Sequence, residues 1–210
     1  PAIVTITLAL SVNRILRRGA VIRKLHAVET LGCAGVICTD KTGTITQNKM
    51  TVQRIWVPGR TLNVSGSGYR AQGAVEENGR PVQAARDAAL GRLCEAASLC
   101  TTAHITRAKD VYDVMGDPTE VAVLVAAAKA GVTKEALLQQ YTVIGENPFD
   151  AARKRMSVTV SGPGGARLLC KGAPDMLLAR CTHIATPAGP RLLAPRDRAD
   201  INAACARMAG

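Results

Sequence analysis

The chain has 210 residues, of which 47% are hydrophobic and 20% are charged, and its formal net charge is +11. This composition is typical of a folded protein and excludes an intrinsically disordered chain. The positive charge would suit a nucleic-acid partner, but aromatic residues make up only 2% of the chain, and no zinc-finger or RNA-recognition spacing occurs. We therefore expect no nucleic-acid partner.

The first segment, PAIVTITLALSV, is apolar and uncharged, and a basic cluster between Arg14 and Lys24 follows it. A full membrane span needs about 20 apolar residues, so this run is either a buried core helix or half of a transmembrane helix. Basic residues directly after an apolar run are typical of the cytoplasmic end of a membrane helix. We therefore assign residues 1–15 to half of a transmembrane helix and predict an integral membrane protein whose following regions are cytoplasmic.

The next segment delivers a carboxylate to a loop. We predict a helix over residues 13–31, interrupted at Gly19, and then a strand in the apolar run CAGVICTD, which ends at Asp40. A carboxylate at the carboxyl end of a strand, followed by a glycine-containing loop, is the geometry of an α/β active site.

From about Met50 onward, short strands alternate with turns and helices. We predict strands in MTVQRIWV and at residues 141–144, 156–160 and 166–170, and helices at residues 82–103, at 118–131, from about Ala173 to Cys181, and at the end of the chain after a proline-rich connector. The sequence therefore predicts an α/β fold with an α+β region inserted after its first strand.

The stretch DKTGTIT, at residues 40–46, carries the most specific chemistry. A carboxylate can attack the γ-phosphate of a nucleotide when a cation neutralises the approaching charge. Lys41 supplies positive charge beside Asp40, Gly43 lets the backbone turn closely around a phosphate, and Thr42 adds a hydroxyl. These residues predict a catalytic group of Asp40, Lys41 and Thr42.

DKTGTIT resembles the phosphorylation signature of P-type ATPases, a branch of the haloacid-dehalogenase-like superfamily. The preceding VETLGC resembles the calcium-pump, or type II, branch, and PAIVTITLAL resembles the cytoplasmic half of that branch's fourth membrane helix. The resemblance implies that residues 16–52 are the stalk and the start of a haloacid-dehalogenase-like phosphorylation domain. It implies that residues 53–210 are an inserted, mixed α/β nucleotide-binding domain.

The resemblance also implies the cofactors ATP and Mg²⁺. Asp40 would form an aspartyl-phosphate, and Mg²⁺ would be held by the Asp40 carboxylate and the backbone carbonyl of Thr42, which are oxygen ligands of the kind it prefers. The intact protein would transport a cation across the membrane, with Ca²⁺ the choice by resemblance and Na⁺/K⁺, H⁺ and Mn²⁺ as alternatives. We expect the chain to be a fragment that does not turn over ATP by itself.

Three downstream boxes, GDPTE, NPFD and KGAP, resemble the family's adenine pocket. Carried over by position, the residues implied to bind ATP are Thr42, Glu120, Phe149, Lys154, Met156, Lys171 and Gly172. Their chemistry is suitable, since an aromatic face can stack on adenine, a carboxylate can accept from an amine, and lysines attract phosphates. Ala151 stands where the family often has a phosphate-contacting arginine, so we expect either that Arg153 or Lys154 covers that role or that the affinity for ATP is lower.

Two other classes of protein fit part of the pattern. A soluble phosphatase of the same superfamily usually has an acidic residue two positions after the nucleophile, where this chain has Thr42. A hydroxyl is a poor base at neutral pH, so water attack on the acyl-phosphate should be slow, which suits a pump. The second class is a nucleotide-binding module without catalysis. Taken singly, Phe149 is more typical of a core residue, Glu120 of a first-turn helix charge and Lys171 of a surface charge; only their joint occurrence downstream of DKTGTIT favours a nucleotide pocket.

Overall fold

The computed structural model describes residues 2–186 and 188–209. The chain divides into two compact units, Pro1–Gln47 and Asn48–Gly210. The sequence-based boundary between the phosphorylation and nucleotide-binding domains lies a few residues later, between residues 52 and 53.

The first unit contains two helices and a loop. Helix α1 spans Ala2–Leu16 and helix α2 spans Ala27–Gly32. The helix predicted over residues 13–31 with an interruption at Gly19 is confirmed only in part: the chain leaves the helical conformation around Gly19, which has a φ of +84°, and is helical again only at Ala27–Gly32. An irregular turn at Lys41–Ile45 follows. No helix in the described part of the chain has the length and apolar character that a membrane crossing requires.

The predicted strand CAGVICTD is also not formed. Residues 33–40 have no regular secondary structure, and each of them is exposed to solvent. A strand is stabilised by hydrogen bonds to a neighbouring strand, and none of the described residues 2–47 forms a strand with which this run could pair. The assignment of this segment to a haloacid-dehalogenase-like phosphorylation domain therefore stays a prediction.

The second unit is a mixed α/β structure, as the sequence predicted. Its elements in chain order are β1 (Arg54–Val57), β2 (Arg60–Val64), β3 (Val75–Glu77), β4 (Arg80–Pro81), α3 (Ala88–Leu99), β5 (His104–Ala108), β6 (Val111–Met115), α4 (Pro118–Lys129), α5 (Lys134–Leu138), β7 (Thr142–Asp150), β8 (Arg155–Gly162), β9 (Gly165–Gly172), α6 (Pro174–Leu178), β10 (His183–Thr186), β11 (Gly189–Leu192) and α7 (Pro195–Ala209).

The strand pairs among the described residues are antiparallel and follow chain order. Strands β1 to β4 form one sheet, β5 and β6 form a hairpin, β7 to β9 form a second sheet, and β10 and β11 form another hairpin. The predicted strands at residues 141–144, 156–160 and 166–170 are confirmed as parts of β7, β8 and β9. The predicted proline-rich connector instead contains the hairpin β10–β11, in which His183–Thr186 pairs antiparallel with Gly189–Leu192.

The two longest helices that pack into the core of this unit begin at aspartate caps. Asp87 accepts a hydrogen bond from the backbone N–H of Leu90 at the start of α3. Asp117 caps α4, whose first residue is Pro118, a position where the missing N–H costs nothing. These helices confirm the predicted segments 82–103 and 118–131 with shorter bounds.

The core of this unit comprises three clusters of buried apolar side chains among the described residues. One lies between the β1–β4 sheet and helices α3 and α4, and a second joins the end of α3 to β8. A third joins α4 to the β5–β6 hairpin. The loop of residues 100–103 connects α3 to β5 and contributes Cys100 to the second cluster and Ala103 to the third. This loop, the start of α4 and the ends of β7 to β9 build the candidate site.

Candidate functional site

A cavity of about 640 Å³ lies at the start of α4, beside the β7–β9 sheet. Its lining consists of Thr102, Asp117, Thr119, Glu120, Val123, Phe149, Met156, Lys171 and Gly172. Five of the residues predicted to bind ATP are therefore brought together, although they are distributed over residues 120–172 of the sequence. The other two, Thr42 and Lys154, do not line it.

Glu120 occupies the third position of α4, where a glutamate commonly reaches back to the N-cap residue. Asp117 caps this helix by accepting from the backbone N–H groups of Thr119 at 2.8 Å and of Glu120 at 3.3 Å. The Glu120 side chain makes no such return bond and instead turns to the loop of residues 101–103. The conformation of the Glu120 side chain is therefore set by residues far from it in the sequence. The alternative interpretation of Glu120 as an ordinary charge in the first turn of a helix does not account for these contacts.

The carboxylate of Glu120 accepts hydrogen bonds on both oxygens. Oε2 accepts from the Thr101 hydroxyl at 2.8 Å, from the Thr102 N–H and hydroxyl at 3.0 Å each, and from the Ala103 N–H at 3.1 Å. Oε1 accepts from the ammonium of Lys171 at 2.6 Å. Oε1 thus keeps an acceptor position for a further donor, since a carboxylate oxygen has two lone pairs.

These contacts keep Glu120 ionised. Burial by itself would raise the pKa of its carboxyl, but the hydrogen bonds from Lys171, Thr101 and Thr102 outweigh that effect and lower the pKa to about 2. The cavity therefore presents a permanent negative charge beside a paired ammonium at neutral pH.

Lys171 and Gly172 lie at the end of β9, where the strand passes close to β8. Lys171 pairs with Met156 in the sheet register, and Gly172 pairs with Arg155. A Cβ atom at Gly172 would meet the Lys154 carbonyl oxygen at 2.4 Å and the Arg155 Cα at 2.8 Å. Only glycine fits at this approach, and it lets the strand carry Lys171 to Glu120.

Phe149 is the only phenylalanine of the chain, and its side chain is 64% exposed. It lies at an irregularity in the β7–β8 pairing, where the register shifts between Asn147 and Asp150. Such bulges change the direction of a side chain. An exposed phenylalanine at the mouth of a cavity excludes the alternative reading of Phe149 as a core residue.

The two residues expected to contact phosphates have other surroundings. Arg153 donates through Nη2 to the Pro148 carbonyl at 2.8 Å, so this part of its guanidinium is engaged with the backbone beside Phe149. Lys154 is exposed and has a φ of +50° in the turn between β7 and β8, where its N–H donates to the Asp150 carbonyl. Contact of Arg153 or Lys154 with the phosphates of ATP stays a prediction.

In the first unit, Asp40 begins the irregular turn at Lys41–Ile45. Its backbone is extended, and its Oδ1 accepts from the Thr42 N–H at 3.3 Å. Gly43 has a φ of +78°, which is favourable for glycine and strained for other residues. The Lys41 carbonyl accepts from the Thr46 N–H at 3.0 Å and from its hydroxyl at 3.2 Å. The turn therefore holds Asp40 in an exposed position at its start.

Three other residues of the site were not predicted from the sequence. Thr101 and Thr102 donate to Glu120, and Lys134 lies behind their loop, where its ammonium donates to the Thr101 and Ala103 carbonyls. The segment CTTAH belongs to no recognisable motif. Lys134 is the first residue of α5, and its position in the sequence does not distinguish it from a lysine in the first turn of any helix.

Known families and relatives match this chain along most of its length. The family model described as "P-type ATPase, cytoplasmic domain N" matches residues 89–210. The chain is 41% identical over its whole length to a calcium-transporting ATPase of Bacillus subtilis, of which it covers 24%. It is 36% identical over 99% of its length to "Calcium-transporting ATPase type 2C member 1" of Pongo abelii, of which it covers 22%.

These matches place residues 89–210 in the class of domains described as the cytoplasmic N domain of P-type ATPases. The chain belongs to the P-type ATPase family. It spans about a quarter of the length of the curated relatives it matches.

Proposed function

We propose that this chain is the part of an ATP-driven cation pump that binds ATP and accepts its γ-phosphoryl group. The observation that supports ATP binding is the convergence of Glu120, Lys171 and the exposed Phe149 on one cavity, in a chain of the P-type ATPase family. The activity belongs to a protein of the relatives' length.

ATP binding would use the three kinds of group that line this cavity. The Phe149 ring offers a face on which adenine can stack, and Met156 offers a polarisable apolar contact. The free acceptor position on Glu120 Oε1 suits the exocyclic amine of adenine, which is a donor. Lys171 would then hold the carboxylate in place and could donate to a ring nitrogen, while Gly172 lets the strand come close.

Phosphoryl transfer would begin with an oxygen of the Asp40 carboxylate. It attacks the γ-phosphorus in line with the bond to the β–γ bridging oxygen; that bond breaks, ADP leaves, and Asp40 carries an acyl-phosphate. Lys41 would offset the negative charge of the approaching phosphate. Thr42, which cannot act as a carboxylate base, would leave water attack slow, so the phosphoenzyme would persist while the pump changes conformation.

Mg²⁺ fits the donor set at Asp40, because Mg²⁺ takes hard oxygen ligands and is commonly held by one or two carboxylates together with phosphates and water. The Asp40 carboxylate and the Thr42 carbonyl would hold it. When bound, Mg²⁺ supplies charge neutralisation for the phosphoryl group.

The transported ion is proposed to be Ca²⁺, since relatives from a bacterium and an ape are named calcium-transporting ATPases. Residues 1–15, with the exposed apolar side chains of α1 such as Ile3 and Leu10, are proposed to be half of a membrane helix. The following regions would then be cytoplasmic.

ATP titration of the 210-residue chain tests the pocket directly. Phe149→Ala removes the stacking face and Lys171→Ala removes the partner of Glu120, so we expect each to weaken ATP binding about tenfold or more. Leu168→Ala is the matched control, because Leu168 is an equally exposed apolar residue on β9 that does not line the cavity. Unchanged ATP affinity in both pocket variants would refute the assignment.

A further inference from the structure

Lys134 is a buried lysine that the proposed function does not use. Its residue exposure is 8%, and it lies at the start of α5, outside the lining of the cavity. Lysine is seldom buried, and a buried ammonium is costly unless it is hydrogen-bonded. Here Nζ donates to the carbonyls of Thr101 and Ala103, each at 2.9 Å.

The same loop faces Glu120 with its opposite side. The Thr102 and Ala103 N–H groups donate to Glu120 Oε2, while the Thr101 and Ala103 carbonyls accept from Lys134. The peptide group between Thr101 and Thr102 is trans, so its C=O and N–H point in opposite directions. One peptide group is therefore hydrogen-bonded at its oxygen to the ammonium and at its nitrogen to the carboxylate.

This arrangement aligns a peptide dipole between two opposite charges. The ammonium at the oxygen end withdraws electron density and makes the N–H a better donor, and hydrogen bonds in such chains strengthen one another in a buried site. Lys134 also fixes the position of the loop, because its two bonds hold carbonyls on either side of Thr102. The result is a rigid set of donors at the oxygen of Glu120 that faces away from Lys171.

The charges around Lys134 fit this role. Burial lowers the pKa of its ammonium, Glu120, Glu135 and Glu146 oppose that effect, and Lys171 adds to it. Glu120 is on α4, Glu135 on α5 itself, Glu146 on β7 and Lys171 on β9. The two loop carbonyls take two of the three donors of the Lys134 ammonium, and the three carboxylates oppose the effect of burial on its pKa.

We propose that Lys134 is a positioning residue for nucleotide recognition: it holds the Thr101–Ala103 loop so that the backbone donors of the loop orient the Glu120 carboxylate toward the base. This inference rests on the proposed ATP-binding function of the cavity. Without Lys134, the carbonyls of Thr101 and Ala103 lose their buried donor, and the loop changes conformation. The Glu120 carboxylate then loses its backbone donors and reorients toward Lys171, so Oε1 is no longer available for the exocyclic amine.

The test compares ATP with inosine triphosphate, which has a carbonyl in place of the exocyclic amine. In the 210-residue chain, Lys134→Met should weaken ATP binding about tenfold, the size of one charge-assisted hydrogen bond. It should weaken binding of inosine triphosphate by about twofold at most, since that ligand does not use the amine contact. The ratio of the two affinities should therefore fall, whereas a general loss of structure would weaken both alike.

Lys129→Met is the matched control. Lys129 is also a buried lysine, 6% exposed, and its Nζ donates to the Ser65 carbonyl at 2.8 Å in a different part of the unit. This variant should leave the affinity ratio unchanged. Lys134→Arg, which keeps the charge and donors, should recover most of the ratio. If Lys134→Met does not fold, Lys134→Gln, which also removes the charge, replaces it and should lower the affinity ratio in the same way.

A second measurement separates this inference from the proposed function. The side-chain carboxyl of Glu120, followed by carbon-13 NMR as pH falls, should titrate near pH 2 in the parent chain and at a clearly higher pH in Lys134→Met. Absence of ATP binding in the parent chain would overturn the proposed function but leave this shift testable. The role of Lys134 would be overturned if Lys134→Met changed neither the pKa of Glu120 nor the ratio of the ATP and inosine triphosphate affinities. It would also be overturned if Lys129→Met changed both by the same amounts as Lys134→Met.

Discussion

The two units of this chain carry their information in different ways. In residues 2–47, one contiguous stretch, DKTGTIT, carries the proposed phosphoryl chemistry, yet this segment has no buried residue and its structure is two helices and an irregular turn. In residues 48–186 and 188–209, three core clusters bring together Glu120, Phe149 and Lys171, none of which is informative singly. A contiguous motif predicts the reacting atom from the sequence alone, whereas a binding pocket forms only when packing brings residues from distant parts of the chain together.

Replacing the proposed nucleophile should give the largest effect and sharpen this contrast. In a protein of the relatives' length, Asp40→Asn should reduce acid-stable phosphoenzyme formed from radiolabelled ATP by at least about 1,000-fold, because an amide cannot attack the γ-phosphorus. The affinity for ATP should change by less than about twofold, since the proposed pocket is built by other residues.

Two outcomes would contradict this prediction. Phosphoenzyme that persists in Asp40→Asn would mean that another group is the nucleophile. A loss of ATP binding in the same variant would mean that the chemistry of the first unit and the pocket of the second are not separable.

Gly172→Ala tests whether packing, and not the motif residues alone, makes the pocket. A Cβ atom at Gly172 would overlap the Lys154 carbonyl oxygen, so the end of β9 must shift away from β8. We expect a loss of about 1–3 kcal/mol in the free energy of unfolding, measured by urea denaturation. ATP binding should weaken as well, because Lys171 moves with the strand.

The control is Gly145→Ala in β7, where a Cβ atom would meet only the Thr159 side chain at 3.8 Å. This change should alter the free energy of unfolding by about 0.5 kcal/mol or less. Equal effects of the two alanine variants would remove the packing explanation for Gly172.

The smallest expected effect is the pH dependence that Glu120 confers. Its pKa is lowered from an ordinary 4.5 to about 2 in the folded chain, so it contributes stability that is fully present above pH 4.5 and is lost as pH falls toward 2. Allowing for screening by solvent, we expect this contribution to be about 1 kcal/mol. Comparing urea midpoints of the parent chain and Glu120→Gln between pH 5 and pH 3 measures it.

The parent chain should lose more stability than Glu120→Gln over this range, since the amide cannot be protonated there. Identical slopes with pH would show that Glu120 is not held ionised by Lys171 and the loop donors.

The second unit was predictable from sequence where local signals and packing agree. Helix α4 begins at Pro118 behind an aspartate cap, β8 has apolar residues at alternate positions and β9 has a short apolar run, so the pattern alone located them. The strand ending at Asp40 was not found, because an apolar run becomes a strand only when a neighbouring strand supplies hydrogen bonds. Local pattern therefore locates an element only where its partners are available.

The pocket was predictable in five of its nine lining residues. Glu120, Phe149 and Lys171 were identified through resemblance, and the cavity brings them together. Their supports, Thr102 and Lys134, were not identified, because their role depends on a loop that meets α4 and α5 in space and not in sequence. No spacing rule encodes a peptide group held between an ammonium and a carboxylate.

The position of Phe149 has a practical consequence for following this site in solution. Because the chain has a single phenylalanine, growth on a fluorinated phenylalanine would introduce one fluorine label, at the mouth of the cavity. Its resonance would come without assignment work and without a cysteine tag. A stacked base would shift it, so one spectrum per ligand would report whether the cavity is occupied and how fast occupants exchange.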